Sequence, residues 1–212
     1  MKKLVFLALI VVTCISVYAF KVAGHEDPCP NEGKPNPKKG KSAVLKPREK
    51  NVNKHKNRQS IPGDADYDKT VTIEKMYDSK DDSIWNEENA ASITGYVFRA
   101  VDNNMESCNC YTEDKTKYST NIYLSPTPIE KNTRTADCIV AVIMPYSRTI
   151  NKDWTADYVN EKLVGKRITV SGWLIYDIDH SVGSIMTNSN GTQPERRTIW
   201  GICPMTDLKV AQ

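Results

Sequence analysis

The side chains best suited to chemistry are soft metal donors: Cys108, Cys110, His180 and Cys203. Such a set fits a small zinc or copper(I) site. Cysteines one residue apart bond to each other only with strain, so the alternative is a disulfide from Cys203 to Cys108 or Cys110, with Cys138 a buried free thiol. A second group is aromatic. Tyr96, Phe98, Tyr123, Trp173 and Tyr176 offer rings on which nucleotides or sugars stack, although strand alternation turns about half of any such set inward. Enzyme chemistry has little footing. Of three histidines, His25 and His55 fall in a polar N-terminal region, and no serine nucleophile motif, phosphate-cradling glycine loop or His-x-x-x-His pair is present. The acidic pairs Asp81-Asp82, Glu87-Glu88 and Asp177-x-Asp179 read as solvated charge.

These residues sit in a chain of 212 residues, 39% hydrophobic and 26% charged, enough for one ordinary domain with extensions. Lys2 and Lys3 precede an apolar run that continues to Ala19, which reads as a signal peptide over residues 1–19 with the mature chain starting at Phe20. An uncleaved anchor and lipid modification at Cys14, which would tether the protein to a membrane, are the alternatives. All three place the folded part outside the cytoplasm, periplasmic or extracellular. Cleavage leaves five cysteines, an odd number that implies a free thiol or use other than in pairs.

Residues 20–60 lack hydrophobic periodicity and carry Pro28, Pro30, Pro35, Pro37 and Pro47, so they read as a disordered basic tail or linker. From Lys34 to Arg58 ten basic residues face one acid, whereas from Gln59 onward sixteen basic residues face twenty-two acids. A polyanion, whether nucleic acid or a cell-surface polymer, would therefore meet the tail, through Lys38, Lys39, Lys41, Lys54, Lys56 and Arg58. The alternative is a solvated spacer.

Beyond the tail, residues 61–91 form an extension expected to pack on the domain, with a short helix or strand over Thr70–Tyr77. The alternation in Ser92–Val101 predicts a long strand with Gly95 where it can bend. Asn121–Ser125 predicts a short strand, and the apolar run Cys138–Met144 a strand buried on both faces and stopped by Pro145. Trp154, Tyr158 and Leu163 share a helical face over Asp153–Val164, ended by Gly165. Arg167–Tyr176 predicts a fourth strand, Asp177–Glu195 a long polar loop, and Thr198–Val210 a last strand or strand pair broken by Pro204. This order predicts a mainly β fold: a five-stranded OB-fold Greek-key barrel over residues 92–212, with its helix between strands three and four.

Specific residues also carry a likeness. Gly95-Tyr96-Val97, Ser107-Cys108-Asn109-Cys110, the stretch from Gly165 to Asp177, His180, and Trp200 through Thr206 resemble a family of exported bacterial OB-fold proteins, often lipoproteins, labelled as binding nucleic acid. The likeness spans about Asn53 to Val210 and includes Lys56-Asn57-Arg58. The family's usual glutamate and histidine between Trp200 and Pro204 are here Gly201 and Cys203, which removes one acid and keeps a metal-capable side chain. The resemblance implies the fold and assigns no activity. The expectation is an exported, non-catalytic binding module for nucleic acid, another oligomeric anion or a saccharide, with an envelope-associated interaction protein as the alternative and a Cys/His metal enzyme last.

Overall fold

A computed structural model describes residues 29–40, 42–79, 84–104, 106–177 and 195–211. The leader, Cys14, Lys41 and His180 lie outside the described residues. Five strands dominate: β1 (Ala90–Asn103), β2 (Ser119–Ser125), β3 (Ile139–Ile143), β4 (Arg167–Tyr176) and β5 (Trp200–Val210). They close into a barrel in the order β1-β2-β3-β5-β4, with every described pairing antiparallel except β3 with β5. Closure leaves no long unpaired edge.

Strand alternation divides the side chains between two clusters. Ile139, Ala141 and Ile143 point with Ile93, Val97, Ile122, Leu124, Ile168, Leu174 and Ile202 into the interior. Val140 and Val142 point outward, where Cys108, Tyr123, Cys138, Ile175 and Cys203 form a second, external cluster. Phe98, next to the inward Val97, packs on that outer cluster, and a register shift between Val97 and Arg99 returns Ala100 to the interior.

The strand expected over Ser92–Val101 is longer, because Ala90 and Ala91 already pair with Trp173 and Gly172. Pro204 does not break the last strand. The register slips between Gly172↔Met205 and Leu174↔Ile202, so no ladder bond is asked of Pro204. Gly172 permits this, since a Cβ there would run into the Pro204 carbonyl and the Met205 backbone.

Four α-helices accompany the strands among the described residues: α1 (Pro47–Lys56), α2 (Ile73–Asp78), α3 (Ser147–Ile150) and α4 (Ala156–Lys162). In chain order α3 and α4 fall between β3 and β4. The Thr155 hydroxyl caps α4 by accepting from Tyr158 N, and Val159 and Leu163 enter the interior cluster. Asn160 serves the β1 backbone, accepting from Ala100 N at 2.8 Å and donating to Ala100 O at 2.9 Å. Thr72 caps α2, whose Ile73 and Met76, with Val71, join the same core.

The largest correction concerns the segment read as a disordered tail. From Cys29 it is folded against the barrel, and Pro47–Lys56 is helical. Pro47 opens α1 and the Glu49 carboxylate accepts from Lys46 N at 2.7 Å. Periodicity is silent here because the helix buries a single aliphatic residue, Val52, and otherwise docks through the polar Asn53 and Lys56. Asn53 Nδ2 donates to Glu32 O at 2.8 Å and to Ser107 Oγ at 3.0 Å. A disulfide from Cys29 to Cys110 fastens the start of this strap.

Candidate functional site

Two clusters converge where α1 crosses the barrel. The first is an open cleft of about 540 Å³ between α1, the approach to β1, and the adjoining ends of β4 and β5. Trp85 and Tyr176 supply its partly exposed rings over the buried Trp200, which lies edge-on to Trp85 at 5.5 Å and tilted against Tyr176 at 5.2 Å between centroids. Asn51 and His55 line it from α1; Asn86, Glu87 and Glu88 line it from the loop before β1. Tyr176 N donates to Glu87 Oε1 at 2.9 Å, which fixes that carboxylate at the strand end. His55 Nδ1 lies 3.4 Å from Glu87 Oε1, and its Nε2 lies 4.0 Å from Glu88 Oε1. Rings beside hydrogen-bonding carboxylates and amides can grip a flat, polyhydroxylated or cationic group.

The second cluster is buried under α1. Lys56 is 5% exposed and Asp177 2%. The Lys56 ammonium sits 3.1 Å from Asp177 Oδ2 and 3.4 Å from Glu106 Oε1, and Arg196 Nη2 donates to Asp177 Oδ2 at 3.3 Å. Ser119 Oγ donates to Glu106 Oε2 at 2.7 Å and Cys108 Sγ reaches the same oxygen at 3.3 Å. Burial pulls the Lys56 ammonium toward neutrality, but Asp177 and Glu106 outweigh it and hold the pKa well above the ordinary lysine range. Burial, reinforced by Glu106, pushes the Cys108 thiol up, and burial does the same to Cys203.

The expected site residues divide on this frame. Tyr176 lines the cleft, whereas Trp173 is occupied by the chain itself: its Nε1 donates to Ser60 O at 2.7 Å and the Arg58 guanidinium stacks 4.4 Å from the ring centroid. Tyr123 is buried beside Phe98, with the Arg99 guanidinium over both rings. Tyr96 is half-buried on β1, paired with Ser125 and Arg167, and does not line the cleft. Among the basic residues, Lys38 and Lys39 are exposed in a short 3-10 turn. Lys54 pairs with Glu32 at 3.0 Å and Arg58 with Glu88 at 3.2 Å. Lys56 points inward, so it cannot meet a polyanion, and Arg58 is committed to Trp173.

The disulfide expected from Cys203 does not form, while Cys138 is the buried free thiol expected. Cys110 bonds to Cys29, and Cys108, Cys138 and Cys203 are buried free thiols. The short 3-10 turn Ser107–Asn109 and the left-handed backbone at Cys110 and Tyr111 turn the two neighbours to opposite sides. With Cys110 used, the four-ligand set cannot assemble as expected, and among the described residues no three His, Cys, Asp or Glu side chains are grouped to hold a metal ion.

Sequence reasoning missed Asn51, His55, Trp85 and Trp200 of the cleft and Glu106 and Arg196 of the buried cluster, and it read Glu87, Glu88 and Asp177 as solvated charge, whereas Asp177 is buried between Lys56 and Arg196 and Glu87 accepts from Tyr176 N. A tryptophan set among asparagine and glutamate at Trp85–Asn89 was the one local signal. Comparison with protein-family models, curated proteins and solved structures returns no match for this chain.

Proposed function

We propose that this chain is an exported, non-catalytic binding module of OB-fold, Greek-key type that takes a neutral saccharide in the cleft walled by Trp85 and Tyr176. The leader-like N-terminus supports export, and the closed order β1-β2-β3-β5-β4 supports the fold assignment. The carrying observation is the composition of the cleft. The partly exposed rings of Trp85 and Tyr176, backed by the buried Trp200, favour the apolar face of a sugar, while Glu87, Glu88, Asn51, Asn86 and His55 offer hydrogen-bond partners to hydroxyls. Two carboxylates at the rim repel phosphate, which weighs against nucleic acid in this cleft.

Titration of intrinsic tryptophan fluorescence with chitotetraose, cellotetraose and an oligothymidylate tests the reading. A saturable response to a tetrasaccharide, weakened about tenfold in Trp85→Ala, is expected, since one ring stack carries about 1–3 kcal/mol. Saturable oligothymidylate binding that is lost in the same variant, with no saccharide response, overturns it.

A further inference from the structure

We propose that Lys56 and Asp177 become joined by an intramolecular isopeptide bond, formed by the folded chain itself with Glu106 as proton carrier. The reacting groups are already in contact. A primary amine and a carboxyl lie within 3.1 Å, and a second carboxylate touches the same amine at 3.4 Å. Lys56 and Asp177 are almost fully buried, and the cleft lining does not include them. Holding amine and acid together converts an otherwise slow bimolecular condensation into an intramolecular one.

One proton passes from the Lys56 ammonium to the touching Asp177 carboxylate, giving a neutral amine and a carboxylic acid while the cluster keeps its total charge. The Nζ lone pair attacks the Asp177 carboxyl carbon, forming the C–N bond. Glu106 takes a proton from the attacking nitrogen and returns it to the departing hydroxyl, so that a C–O bond breaks and one water leaves. Arg196 donates to Asp177 Oδ2, the oxygen that touches Lys56, takes its proton and departs, and so steadies that oxygen as the C–O bond breaks. No oxidant or cofactor enters. The product replaces a buried ion pair, costly to desolvate, with a neutral amide, and leaves Glu106 and Arg196 to balance each other.

Such a bond fastens the end of α1 to the end of β4, as the Cys29–Cys110 disulfide fastens the start of the strap to the loop after β1. Intact mass spectrometry of the whole secreted chain, fully reduced and denatured, reads it directly. The mass is expected to fall short of the sequence mass by one water, and peptide mapping is expected to place the link between Lys56 and Asp177. Asp177→Asn should lose one ammonia instead of one water, and Glu106→Gln should regain the full mass. A full sequence mass for the reduced chain, or a water loss mapped to any other pair, overturns the proposal. A retained water loss in Glu106→Gln overturns the role given to Glu106. This readout is independent of saccharide binding, so either reading can fail alone.

Discussion

Gly172 and the three free thiols show how single side chains are governed by what lies against them. At Gly172 the neighbouring strand comes so close that a methyl group meets the Pro204 carbonyl and the Met205 backbone, neither of which can swing aside. Gly172→Ala is therefore expected to cost about 1–3 kcal/mol, read as a lowered denaturation midpoint with an unchanged slope. Gly40, where nothing lies within contact range of the added atom, is an unsuitable control because its φ of 89° is left-handed. The thiols lie buried in the outer cluster, and burial raises the pKa of Cys138 from 9.0 to about 12. At pH 8 they are neutral as well as shielded, so iodoacetamide is expected to label none of Cys108, Cys138 and Cys203 until denaturant is added. Labelling of any of them in the folded protein at the rate of a small-molecule thiol would contradict that burial.

At the scale of elements the strap from Cys29 to Ser60 is the unusual part. Helix α1 has little apolar surface to bury, so its place depends on Asn53, Lys56 and the disulfide more than on packing of Val52. Closing a loop across a sequence separation of 81 residues restricts the unfolded chain by about 4 kcal/mol. Paired Cys29→Ser and Cys110→Ser substitutions should lower the thermal midpoint by several degrees, and a reductant should move the native protein in the same direction. Coincident midpoints for the native and doubly substituted proteins would show that the strap is held without the bond. Because Asn51 and His55 of α1 also line the cleft, loosening this element should weaken ligand binding before the barrel itself melts.

For the whole molecule the charge asymmetry is reconciled internally. The basic segment pairs internally through Glu32 and lies against the rest of the domain through Glu87, Glu88, Glu106 and Asp177. A chain beginning at Ser60 would expose the outer cluster of Cys108, Tyr123, Val140 and Ile175, and is expected to aggregate or melt well below the full-length protein. Alkaline pH gives a further check. The folded-state pKa of Cys138 lies above its unfolded value, so its contribution to stability is complete below pH 9 and is lost as pH rises toward about 12. Denaturation midpoints should thus be flat from neutrality to about pH 9 and fall beyond it. Stability that rises across that interval would refute the sign.

The alternation in β1, the doubly apolar run of β3 and the amphipathic stretch that contains α4 were legible because each buries a face or stripe whose period is written into consecutive residues. Those local patterns are enough to specify a mainly β barrel and its approximate strand positions. Periodicity carries no record of contacts between polar groups far apart in the chain. Helix α1, the Cys29–Cys110 pairing and the meeting of Lys56, Glu106, Asp177 and Arg196 were decided only when the closed barrel set the ends of β1, β4 and β5 beside one another. The cleft follows the same rule, since Trp85, Tyr176 and Trp200 come from three separate segments and become neighbours only through strand pairing.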